Sequence, residues 1–164
     1  MSLPPDSNRF PEPAAEPDSV VTAEVGHDGF TQYLVNGRHH LFADEAVGDG
    51  GADAGPGPYE LLLMSLGACS SITMRMFARR HQWPLERVVI HLRHTKRHAD
   101  DCANCERETR SLEHIDREIE LHGALSAEQK QRLMALADRC PVHQTLTLGL
   151  TINSRLIDAA TPPA

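Results

Sequence analysis

Apolar and polar positions change period several times along this chain, and each change marks an element. "SVVTAEVG", "FTQYLVNG" and "RHHLFADE" are short, partly alternating β-type runs, the first two separated by the turn signal "HDG". They predict a three-stranded meander. The Gly/Pro/Asp stretch "AVGDGGADAGPGPYE" breaks the pattern and reads as a flexible loop; its acids lack the spacing of a calcium-binding EF-hand. From Tyr59 to about His81 the apolar residues, among them Leu61, Leu62, Leu66, Cys69, Ile72, Met76 and Phe77, cover more than one helical face. That predicts a helix buried nearly all round, opened by Pro58 and Glu60. "RVVIHLRHTK" alternates as a strand through Val88, Ile90 and Leu92, with His91 facing solvent, and "LEHIDREIELHG" is a second strand carrying Ile115, Ile119 and Leu121. "LSAEQKQRLMALADRC" is an amphipathic helix with Ser126 and Gln129 as a capping box and Leu125, Leu133, Met134, Leu136 and Ala137 on its apolar face. "PVHQTLTLGLTINSRLI" then gives a helical turn and a last strand. The predicted order is βββ-α-ββ-α-β, an α+β chain.

Composition narrows the class. With 164 residues, 40% of them apolar, the chain is expected to form one domain over residues 19–157, between an N-terminal arm at 1–18 and a tail at 158–164 that have no apolar period. No apolar run reaches the roughly 20 residues of a membrane span. The N-terminus lacks an apolar signal-peptide core, so the expected compartment is the cytoplasm. A net charge of −7 with scattered basic residues argues against a nucleic-acid partner.

Four cysteines in such a chain favour thiol chemistry or metal over a disulfide framework. Cys69 sits inside "ELLLMSLGACSSITMRMF", where a lone thiol most often serves as a small hydrophobe. Cys140 stands directly before Pro141, which favours the first position of a new helix and puts Cys140 at its N-cap. There the helix dipole and unpaired N–H groups favour a thiolate. His143 is either a partner of that thiol or a solvent-facing residue. Together Cys69 and Cys140 are either two unrelated core cysteines or a redox pair, in which one sulfur is oxidised by a peroxide and the other closes a disulfide.

The segments "GPGPYELLLMSLGACSSITMRMFARRHQWPLERVVIHLRHTK" and "LSAEQKQRLMALADRCPVHQTLTLGLTI" resemble the OsmC/Ohr family of thiol-dependent hydroperoxidases, in particular an OsmC-like branch carrying "HADDCANCE". The similarity covers roughly residues 20–156 and rests on the Pro-x-Glu-Leu-Leu start, "LGAC" and "CPVH". The resemblance implies an intertwined homodimer, its six-stranded sheets wrapped around two long central helices, with active sites near the subunit interface. It implies Cys69 as the peroxidatic cysteine and Cys140 as the resolving one, an organic hydroperoxide as substrate, and a lipoyl protein or thioredoxin-like dithiol as reductant, with no cofactor required. The family's enzymes also use a glutamate and an arginine to orient and polarise the peroxide. Glu60 is the nearest acid, one residue out of step so that Tyr59 takes its place, and Arg38 in "VNGRHH" is the nearest arginine.

"RHTKRHADDCANCE" offers His94, His98, Cys102 and Cys105 as ligands for zinc, as a dithiol, or as neither. Asp100, Asp101 and Glu106 would raise thiol pKa values but assist a bound cation. Two functions therefore stand: a peroxidase working through Cys69 and Cys140, and a non-catalytic module of the same fold that holds a small apolar ligand or a metal.

Overall fold

The computed structural model describes residues 19–97 and 112–156. Within that range the chain runs β1 (Val21–Glu24), β2 (Gln32–Asn36), β3 (His39–Ala43), α1 (Pro58–Arg80), β4 (Arg87–Arg97), β5 (Leu112–His122), α2 (Ala127–Ala137) and α3 (Pro141–Leu148). The α+β class holds. So does the meander: β2 pairs antiparallel with both neighbours, Val21 facing Val35 and Asn36 facing His39, while β4 pairs with β5 in a two-stranded sheet.

The chain divides into two compact units, Met1–Ser65 with Leu92–Asp116, and Leu66–His91 with Arg117–Ala164. In the first unit the meander buries Tyr33, Val35 and Ala43. The stretch that follows is not the flexible loop its composition suggests. The buried Asp44 carboxylate accepts hydrogen bonds from the Thr31 hydroxyl at 2.9 Å and from the N–H groups of Glu45, Ala52 and Ala54 at 2.8, 3.1 and 3.2 Å. Two glycines let the backbone fold this closely: a Cβ at Gly51 would lie 1.9 Å from the Glu45 carbonyl oxygen, and one at Gly55 would lie 2.1 Å from that of Phe42. Burial alone would raise Asp44, but the Thr31 hydroxyl and the three N–H groups outweigh it and hold the carboxyl below its ordinary range.

In the second unit α1 buries a single i, i+4 stripe, Leu66, Ser70, Met74 and Ala78. Met74 and Ala78 meet Leu85, Leu133 and Ala137 in the core, with Phe77, Trp83, Ile90 and Ile119 packed around them. The expectation of a helix buried on all sides is corrected here, because Met64, Ile72 and Met76 remain exposed. So is the reading that no segment reaches membrane length: by length and composition alone α1 could cross a bilayer, with a mean hydropathy of 1.5. Its serines and threonine break the apolar run without lowering that average far. α2 opens with the expected capping box, Ser126 accepting the N–H of Gln129 while the Gln129 side chain accepts that of Ser126. The expected helical turn is α3, but the last expected strand is replaced by an irregular, exposed segment over 149–156. The alternation of Leu150 and Ile152 with polar residues suits a strand, but a strand needs a partner edge, and the segment is unpaired in a single chain.

Two outcomes follow for stability. Leu133→Ala, at a fully buried site, is expected to cost about 3 kcal/mol, whereas Met134→Ala on the exposed side should cost less than about 1 kcal/mol, both read by denaturant unfolding. Asp44→Asn should lower the melting temperature by roughly 5 °C at neutral pH. Because the folded state holds Asp44 ionised, its contribution is complete above the ordinary carboxylate range and is lost as pH falls through the lower folded value. The difference between wild type and Asp44→Asn should therefore shrink in acid; a difference that grows there would refute this account of the loop.

Candidate thiol site

The second unit brings two sulfurs to the start of α3. The chain leaves α2 and breaks at Cys140, whose extended backbone (φ −67°, ψ 142°) makes it the N-cap, with Pro141 as the first helical residue. Pro141 has no N–H to offer, so the first donors of the helix belong to Val142 and His143. The His143 N–H donates to Cys140 Sγ at 3.3 Å. Both cysteines are free thiols, and the ionisation of each affects the other. Cys140 is fully buried, and Cys69, one position off the buried stripe of α1, is half-buried.

Two polar side chains complete the site. Ser70 is fully buried, with Oγ 3.4 Å from Cys140 Sγ. Arg117 on β5 donates through Nη1 to Ser70 Oγ and to the Ala137 carbonyl, both at 3.1 Å, and through Nη2 to Asp138 Oδ1 at 2.6 Å. A guanidinium only donates, so Ser70 Oγ accepts from it and keeps its own hydroxyl proton available to the Cys140 sulfur.

These surroundings act on the two thiols in opposite directions. Burial alone would raise Cys140, but the Ser70 hydroxyl, the His143 N–H, the Cys69 thiol and the charge of Arg117 together bring it below an ordinary cysteine. Burial pushes the Cys69 thiol up; the Val142 N–H works against this, and the neighbouring Cys140 sulfur adds to it. The two thiols titrate as one coupled pair, with the donors gathered on the Cys140 sulfur.

Cys69 and Cys140 are thus brought together, and Cys140 is the N-cap its proline signalled. For His143 the contact is made by the backbone N–H. Glu60 lies in the first turn of α1, where its carboxylate accepts the Gly57 N–H at 2.9 Å. Arg38 occupies the exposed turn between β2 and β3. Both belong to the first unit. His94 on β4 is hydrogen-bonded through Nε2 to the Glu113 carboxylate and stacked on Tyr59 at 4.3 Å, so one ring nitrogen is already engaged. His98, Cys102 and Cys105 lie outside the described residues, as do Asp100, Asp101 and Glu106. Among the described residues no group of three or more His, Cys, Asp and Glu is arranged to hold a metal ion.

Ser70 and Arg117 escaped the reading of the sequence. Both carry a detectable signal. Ser70 is the one polar member of the 66/70/74/78 stripe, and Arg117 shares its strand phase with Ile115, Ile119 and Leu121.

A buried N-cap cysteine paired with a second free thiol defines a dithiol site on an α+β scaffold. The family model described as OsmC-like protein matches residues 48–155, and the chain belongs to that family. Among solved structures, the OsmC-like protein of Mycoplasma pneumoniae shares 17% identity over 82% of this chain and 89% of its own, with a TM-score of 0.62. The organic hydroperoxide resistance protein OsmC of Legionella pneumophila shares 18% over 78% and 88%, with a TM-score of 0.55. An OsmC-like protein of unknown function from Vibrio cholerae shares 12% over 77% and 91%, with a TM-score of 0.57. At these identities the likeness is one of fold. No curated protein is significantly similar in sequence.

Proposed function

We propose that this protein is a two-cysteine peroxidase that reduces organic hydroperoxides to alcohols. The observation that carries the reading is the pair of free thiols, Cys140 as the N-cap of α3 that accepts the His143 N–H and Cys69 beside the Ser70 that reaches the same sulfur. Two cysteines serving only as core filler require no such polar setting. The fold shared with a hydroperoxide resistance protein supports the same reading.

Cys69 is the attacking sulfur, since it is half-buried whereas Cys140 is fully enclosed. As the Cys69 sulfur attacks the outer oxygen of ROOH, its proton passes to the Cys140 thiolate. The O–O bond breaks, leaving a sulfenic acid on Cys69 and an alkoxide, which takes the proton from Cys140 and departs as ROH. The restored Cys140 thiolate attacks the sulfenic sulfur, forms the disulfide and expels hydroxide. An external dithiol, a lipoyl protein or a thioredoxin-like one, returns both thiols in the reducing cytoplasm. No cofactor takes part, and zinc at His94, His98, Cys102 and Cys105 is not needed for the cycle. By the family resemblance Glu60 and Arg38 are assigned to orienting the peroxide. The Leu and Met side chains of α1 favour an alkyl or fatty-acyl hydroperoxide over hydrogen peroxide.

The working unit of this proposal is a homodimer. Met64, Ile72 and Met76 on α1 and Leu148, Leu150, Ile152 and Leu156 beyond it are all exposed in the single chain. So much unpaired apolar surface favours a second copy as its cover, with residues 149–156 supplying the missing strand.

Stopped-flow mixing of the reduced protein with cumene hydroperoxide tests the chemistry. Wild type should react at least about a hundred-fold faster than free cysteine. Cys69→Ser should be inactive, and Cys140→Ser, which lacks the base that takes the Cys69 proton, should consume a single equivalent more slowly than wild type and stall as the sulfenic acid. Wild type no faster than free cysteine would refute the proposal. Sedimentation should give a dimer, converted to monomer by Leu150→Asp with Ile152→Asp; a monomeric wild type would contradict the assembly.

A further inference from the structure

We propose that Arg117 is a positioning residue of the thiol pair: through Ser70 Oγ it makes Cys140 the sulfur that carries the negative charge. This rests on the two-cysteine reading and adds to it a cation from β5, a position outside the short sequence motifs that carry the family resemblance. The same arrangement sets the direction of disulfide reduction. A reductant thiolate attacks the half-buried Cys69 Sγ, the S–S bond breaks, and its electron pair leaves on Cys140. The second thiol of the dithiol then closes its own disulfide and releases Cys69 as a thiolate, which takes up a proton.

Two donors converge on Cys140 Sγ: the Ser70 hydroxyl at 3.4 Å and the His143 N–H at 3.3 Å. Arg117 stands behind the first of them. Its side chain is only 14% exposed, so its charge is less screened than that of a surface arginine. Three acceptors hold it: Ser70 Oγ, the Ala137 carbonyl and Asp138 Oδ1. The Asp138 carboxylate is mostly exposed and pairs with the other nitrogen of the fork, leaving Nη1 for Ser70. The titratable and charged groups around the sulfur are therefore Cys69, Arg117 and, beyond it, Asp138, with His143 contributing its backbone N–H. A simpler role exists for the arginine, that of closing the end of α2 through the Ala137 carbonyl. Ser70 separates the two roles, since removing its hydroxyl cuts the path to sulfur and spares the α2 contact.

The test is an ultraviolet thiolate titration of Cys140 in a Cys69→Ser, Cys102→Ser, Cys105→Ser background. Ser70→Ala and Arg117→Gln should each raise the midpoint by about one pH unit, the two together should add little more, and Arg117→Lys should restore most of the shift. Thermal melts accompany each variant; where Arg117→Gln fails to fold, Ser70→Ala and Arg117→Lys decide. A midpoint unmoved by Ser70→Ala in a folded protein overturns the proposal, and a midpoint moved by Ser70→Ala but not by Arg117→Gln removes Arg117 from it. Peroxide does not enter this titration. Shifted midpoints without peroxide turnover would sink the peroxidase reading and leave the Arg117–Ser70 link, whereas fast turnover with unmoved midpoints would do the reverse.

Discussion

The site depends on one chain break. Pro141 cannot continue the helix that ends at Ala137, and it is suited to start another, so the chain must turn at Cys140. That turn leaves the N–H groups of Val142 and His143 without helical acceptors, and that of His143 donates to the Cys140 sulfur. A buried thiol would otherwise be an inert, weakly acidic hydrophobe. Here the unpaired ends of a helix act as its solvent. The acidity of the pair, the choice of which sulfur is charged and the availability of the other for attack all follow from it.

The second constraint is the geometry of α1. Its stripe at 66, 70, 74 and 78 anchors the helix in the core, and the same stripe carries Ser70 to Cys140. Cys69 precedes Ser70 by one residue, a rotation of about 100° about the helix axis. That rotation takes Cys69 off the buried stripe but not into open solvent, which is where an attacking thiol is needed. Packing and chemistry are thereby tied: a change that turned α1 would disturb the core and the thiol pair together. Arg117 ties them again, since one guanidinium meets the end of α2 and the serine beside the sulfur.

Much of this was legible in the residues. Period-two runs gave the meander, Ser126 and Gln129 gave a capped helix, and the Cys-Pro step gave the N-cap, because each is decided by neighbours a few residues away. What was not legible depends on distant partners. Asp44 organises its loop by collecting donors from Thr31, Ala52 and Ala54, a closure that composition does not reveal. The expected last strand failed since a strand is a relation between two segments, and α1 was taken as buried all round because hydropathy reports apolarity and not which face finds cover. Arg117 was passed over on β5, although its phase sets it with Ile115, Ile119 and Leu121.

The central claim is that Cys69 and Cys140 form one redox unit. Its most direct test is to treat the reduced protein with one equivalent of an alkyl hydroperoxide, block free thiols and map the peptides by mass spectrometry. The account predicts a Cys69–Cys140 disulfide, formed in step with release of the alcohol, and Cys102 and Cys105 still open to alkylation. Recovery of Cys69 and Cys140 as free thiols with the hydroperoxide unconsumed would contradict it.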